Sequence, residues 1–183
     1  MTPVAKALAQ SSRLWHALPM RTEFLVLLTT ALALAMTGCA ANSGAAAVPA
    51  RPRPDVDLGA FSISLNVKDL AASRAFYEKL GFAHAGGDPK QNWIVLRNGD
   101  HVIGLFQGFI PKNTLTFNPG WTQQATPVAP FTDVRDLQAQ LQQRGLVLTQ
   151  GADPASTGPA YLMLMDPDGN PILIDQHVSR PRS

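Results

Sequence analysis

Cysteine occurs once in 183 residues, at Cys39, so no internal disulfide can staple the chain. Glutamate is almost as rare: Glu23 and Glu78 are the only two among 13 acidic residues, and the rest are aspartate. That excludes a site built on several glutamates and narrows the metal centres the chain could form. A helix needs about 20 apolar residues to cross a bilayer. The main apolar run, residues 24–36, has 13, which argues against a permanent transmembrane anchor. What is present is enough apolar material for a core: 45% of residues are hydrophobic, which excludes wholesale disorder and allows one ordinary domain.

The apolar run follows Lys6, Arg13 and Arg21 and leads through small residues to Cys39. A basic start, a short apolar core and a small-residue exit form a secretory signal. Met36-Thr37-Gly38-Cys39 resembles the bacterial lipobox, with Met36 where leucine is usual. The resemblance implies that residues 1–38 are removed as a signal peptide and that Cys39 is lipidated. Ala40, standing where aspartate would retain a lipoprotein at the inner membrane, points to the outer membrane, facing the periplasm. A start at Met20 would give a more ordinary signal length and leave residues 1–19 outside the native product. Removal of residues 1–38 takes away Lys6, Arg13, Arg21 and Glu23 and leaves 12 charges of each sign, so the formal charge of +2 belongs to the signal. No electrostatic case for nucleic acid remains. Residues 39–59 are the lipidated cysteine and an alanine- and proline-rich tether, extended where proline dominates.

Regular patterns begin at residue 60. Phe61 to Val67 alternates, with Ile63, Leu65 and Val67 on one face and Ser62, Ser64 and Asn66 on the other, as in a half-buried strand. Asp69 is an N-cap; Leu70, Phe76, Tyr77 and Leu80 make an apolar stripe; and Gly81 supplies the stop. Two further strands meet around Asn98-Gly99, a hairpin signal that sets Arg97 against Asp100 and Trp93 against Gly104. Asp133 and Gly145 repeat the spacing of Asp69 and Gly81 at an offset of 64 residues, with Val134, Leu137 and Leu141 on the second helical stripe. Strands are expected near 146–150, 160–165 and 171–177, with Phe109 to Ala125 connecting two units.

Val67-Lys-Asp-Leu-Ala-Ala-Ser-Arg-Ala-Phe-Tyr-Glu-Lys-Leu-Gly-Phe82 and Asp166-Pro-Asp-Gly-Asn-Pro-Ile-Leu-Ile174, taken with the repeat, resemble the vicinal oxygen chelate superfamily of glyoxalase I, bleomycin-resistance proteins and extradiol dioxygenases. The resemblance covers residues 60–178 and leaves a tail at 179–183. It implies an α+β fold in which two βαβββ repeats form a U-shaped mixed sheet with helices on the convex side, and it makes a homodimer possible. Metal-dependent members carry His, Gln or Glu at four positions, which fall here on Ser62, Gly104, Thr126 and Leu173. Glycine and leucine offer no donor atom and hydroxyls are weak transition-metal ligands, so no metal and no cofactor is expected.

The same geometry gives the contents of the concave face: Ser64 and Asn66 from the first strand, Trp93, Gly104 and Phe106 from the hairpin, and Tyr161, Met163, Asp175 and His177 from the last two strands. This is an apolar and aromatic surface with a few polar groups, the composition of a small-molecule site. Asp175 and His177, two apart on one strand, could pair as ligand anchor or general base. Three functions follow as expectations: capture of a small, partly apolar molecule without metal; a glyoxalase-like lyase or dioxygenase using Asp175 and His177; or a non-catalytic interaction module of the cell envelope.

Overall fold

A computed structural model describes residues 55–181; the signal sequence, Cys39 and most of the tether lie outside that range. Eight strands form one mixed sheet. The first unit comprises β1 (Ala60–Val67), α1 (Leu70–Lys79), β2 (Ala83–Asp88), β3 (Trp93–Asn98) and β4 (His101–Gln107). The second comprises β5 (Thr114–Asn118), α2 (Val134–Gln143), β6 (Leu148–Gln150), β7 (Ala160–Met165) and β8 (Pro171–Gln176). The order across the sheet is β2-β3-β4-β1-β5-β8-β7-β6. β1 runs parallel to β4, β5 parallel to β8, and β1 meets β5 antiparallel, so the two βαβββ units adjoin through their first strands.

Local chemistry starts and stops both helices. The Asp69 carboxylate accepts from Ala72 N at 2.9 Å, and the Asp133 carboxylate accepts from Arg135 N at 3.0 Å. Gly81 and Gly145, at φ +86° and +82°, reverse the chain beyond the last turns. Each helix covers its own apolar core. Leu70 of α1 packs with Ile94, Leu96, Ile103 and Leu105 of the sheet, and Val134, Leu137 and Leu141 of α2 pack with Leu162, Leu164 and Ile174. The expected aliphatic face is therefore the helix-bearing face. On α1, Phe76 and Leu80 depart from the predicted stripe: they are 58% and 56% exposed, and only Leu70 of that helix is fully buried.

Three expectations change. The fifth strand is Thr114–Asn118, inside the segment read as a connection, and Thr126 is an exposed loop residue. The 64-residue offset holds for the helices and fails for the strands, because two residues separate β1 from α1 whereas a long loop, 119–133, separates β5 from α2. In the hairpin, Asn98 pairs with His101, so Gly99 and Asp100 make the turn, Trp93 faces Phe106, and Gly104 faces Val95. That shift is two residues, so every side chain keeps its face. The turn at Asp166 to Asn170 is an ordinary hairpin: the Asp166 carboxylate accepts from Asp168 N and Asn170 N at 3.0 and 2.8 Å.

The sheet curls. Trp93 on β3 and Leu173 on β8 share one apolar cluster with Phe106 and Ile110. Four strand steps separate them, about 19 Å on a flat sheet. The face opposite the helices is thus concave and brings the two units together.

Candidate functional site

The concave face divides along its length. At one end Trp93 and Phe106 stack with ring centroids 6.1 Å apart and planes 5° from parallel, and Ile110, Leu173, Tyr161 and Met163 pack against them. Alternation predicted these neighbours, but their consequence differs from the expectation for two of them. Tyr161 and Met163 close the apolar end of the trough and do not line its cavity. Asn66 also falls outside: it is exposed, and its amide donates to Pro111 O.

The other end is open, a cavity of about 90 Å³. Of the residues predicted for the site, Ser62, Ser64, Trp93, Gly104, Phe106, Leu173, Asp175 and His177 line it. Ser64 and Thr116 meet on its floor, hydroxyl to hydroxyl at 3.1 Å, both buried. His177 Nε2 lies 3.5 Å from Asp175 Oδ2 and the imidazole lies flat on the indole of Trp121, centroids 4.2 Å apart. Burial pushes the Asp175 carboxyl above the ordinary carboxylate range, and the His177 imidazole opposes that shift in part. Tyr161, directly opposite Asp175 in the ladder, has its phenol raised by burial and by that carboxylate.

Sequence reasoning missed the strap that roofs this end. Residues 120–128 double back on themselves, with Thr122 N donating to Thr126 O and Val128 N to Gly120 O. The Gln123 carboxamide behaves like one more peptide unit. It accepts from Phe61 N at 2.9 Å, donates to Phe61 O and donates to Asp100 O. Arg97 Nη1 then donates to Gln123 O at 2.7 Å. Arg97, expected opposite Asp100 on the hairpin, lines the cavity, and the Asp100 carboxylate is taken by the Gln124 amide. The signal for β5 was legible, since Thr114-Leu-Thr-Phe-Asn118 alternates. Nothing in the sequence signals the strap's path.

The four family metal positions can be tested against these residues. With the fifth strand corrected, the third position is Thr116, opposite Ser62 in the β1–β5 ladder, and it is level with Leu173 in β8. The donors on offer are two hydroxyls. A side chain at Gly104 would begin 2.5 Å from Phe106 Cε2, so a ring fills the space where a ligand would project. Among the described residues no three His, Cys, Asp or Glu side chains gather elsewhere. The residues do not fit the divalent metal of the family.

A family model described as Glyoxalase/Bleomycin resistance protein/Dioxygenase superfamily matches residues 59–174. Among solved structures, a superfamily member from Vibrio splendidus 12B01 is similar at 15% identity and a TM-score of 0.46, over 63% of this chain and 97% of that one. An extradiol ring-cleaving dioxygenase from B. fuscum is 24% identical with a TM-score of 0.44, over 72% of this chain and 37% of the other. A Mn(II)-bound glyoxalase from Novosphingobium aromaticivorans is 19% identical with a TM-score of 0.43, over 67% and 40%. No curated protein matches the chain significantly.

Proposed function

The chain belongs to the glyoxalase/bleomycin resistance protein/dioxygenase superfamily, and we propose that it binds a small, partly apolar molecule without the superfamily's metal, held at the cell envelope by a lipidated Cys39. The observation that carries the binding reading is the cavity itself: indole and phenyl walls, two buried hydroxyls, and one guanidinium and one carboxylate–imidazole pair at set places. Concave, mostly apolar sites with a few placed polar groups are how proteins hold small molecules. The side chain of Phe106 over Gly104 supports the absence of metal, since it occupies the ligand space with carbon.

A thermal-shift screen of the full chain against aromatic metabolites and antibiotics is expected to give at least one compound that raises Tm. At a hundredfold excess over Kd the stabilisation is about 2.7 kcal/mol, a shift on the order of 10 °C for a domain of this size. Protein purified without chelator is expected to carry far less than one equivalent of zinc, nickel, iron or manganese; a stoichiometric metal would overturn the reading. For the anchor, metabolic labelling with a fatty acid should mark the wild-type chain and not Cys39→Ala, and labelling of both would remove the envelope from the proposal. The Asp175–His177 pair favours a second reading, an enzyme in which His177 moves a proton while Asp175 orients it. Lyase or ring-cleavage turnover by the purified chain would put that reading first.

A further inference from the structure

The ligand class follows from Arg97, a cation of the cavity that makes no ion pair among the described residues. Arg97 sits on β3 between the indole of Trp93 and the hairpin turn, half-buried, and its Nη1 is held by the Gln123 carbonyl. The carboxylate nearest in sequence, Asp100, is engaged by Gln124, and among the described residues no carboxylate lies within 4 Å of Arg97. The other acid of the cavity, Asp175, stands on β8 in the opposite unit against His177. A guanidinium presents five donors in a planar fork that matches a carboxylate. One of those donors is spent on Gln123, and that bond aims the remaining edge by tying it to the strap. Half-buried at the rim of an aromatic-walled cavity with one backbone carbonyl as its partner, the guanidinium keeps donors to spare, and the partner this geometry takes is an oxyanion on a flat apolar body.

We propose that the ligand is an aromatic monoanion, its ring system against Trp93 and Phe106 and its carboxylate on Arg97. This rests on the binding reading above and sharpens it to a chemical class. Trp121 stacked on His177 then forms the far wall, and Ser64 and Thr116 the floor.

The test titrates the full chain with 2-naphthoate and with 2-naphthamide, which share shape and differ in charge, following tryptophan fluorescence and confirming Kd by calorimetry. Wild type is expected to bind the carboxylate about tenfold or more tighter than the amide, the size of one charge-assisted hydrogen bond. Arg97→Met should bring the two affinities together by weakening the carboxylate alone, while Arg97→Lys keeps part of the preference. The wild-type comparison needs no variant, so a misfolded Arg97→Met leaves it standing. Equal affinity for both probes in wild type, or a carboxylate preference that survives Arg97→Met, overturns the anion inference and leaves the apolar pocket intact. Binding of neither probe overturns both.

Discussion

Asp133→Ala is expected to destabilise the fold by about 3–5 kcal/mol, the cost of removing one partner from a buried ion pair. Asp133 is 2% exposed and does three jobs at once. It caps α2 through Arg135 N, it receives Arg135 Nη1 on both oxygens at 3.0 and 3.2 Å, and it receives Gln176 Nε2 at 2.8 Å. Arg135 is itself 5% exposed, so alanine would leave a buried guanidinium with only Asp153 O, Gly158 O and the Ser156 hydroxyl. Gln176 completes the knot by accepting from Val134 N at 2.7 Å. Urea unfolding at pH 7 measures the loss.

The pH dependence gives the prediction a second edge. Burial alone would raise the Asp133 pKa, but the hydrogen bonds from Arg135 N, Gln176 and the Arg135 guanidinium outweigh it and hold the carboxyl below its ordinary range. A depressed folded pKa means stability that is fully present above the unfolded value of about 3.9 and is lost as pH falls through the folded one. The difference between wild type and Asp133→Ala should therefore stay constant from pH 7 to about 5 and shrink below about 4. Asp175, raised by burial, acts in the opposite sense and is common to both proteins, so it cancels in the difference. A gap that persists undiminished into strong acid would show that Asp133 acts through its cap geometry and not through its charge.

This knot also explains why the polar end of β8 is ordered. Gln176 faces the helix layer while its neighbours Asp175 and His177 face the cavity, so one buried amide fixes the strand end that carries the pair. Alternation placed Asp175 and His177 on one face from the sequence, because period-2 geometry needs no tertiary information. It also sorted Ile63, Ile94, Ile103, Leu162 and Ile174 onto the helix face. What alternation could not supply was distance along the trough. Trp93, Phe106, Tyr161 and Met163 lie on the concave face as the period requires, yet only Trp93 and Phe106 border the cavity, while Tyr161 and Met163 pack behind them at the closed end. The repeat misled for a related reason. Helix caps are strong local signals and gave the 64-residue offset, whereas the loop between β5 and α2 carries no period and is free to differ in length. Arg97 was legible as a residue on the right face; its role depended on the strap, whose Gln123 reaches Phe61, Asp100 and Arg97 across 62, 23 and 26 residues.

Trp93→Ala is expected to cost about 3–5 kcal/mol, as large as the loss at Asp133 but for an apolar reason. The indole is 4% exposed, stacks on Phe106 and covers Gly87, whose missing side chain would sit 3.0 Å from Trp93 Cε3. Truncation would therefore strip the partner from a stacked ring and open a void in the one cluster that includes Leu173 from the second unit. Trp93→Phe retains a ring against Phe106 and should cost less than half as much, while Phe76→Ala, at a side chain 58% exposed, should stay within about 0.5 kcal/mol. The slope of the urea transition separates two accounts of the concave cluster. If it joins units that are each stable, Trp93→Ala lowers the slope and broadens unfolding into two steps. If the shared sheet already makes one cooperative body, as the continuous ladder from β4 through β1 and β5 to β8 argues, the midpoint falls and the slope holds. The second outcome is the expected one. It would make the concave cluster part of the same cooperative body as the strands that carry the site.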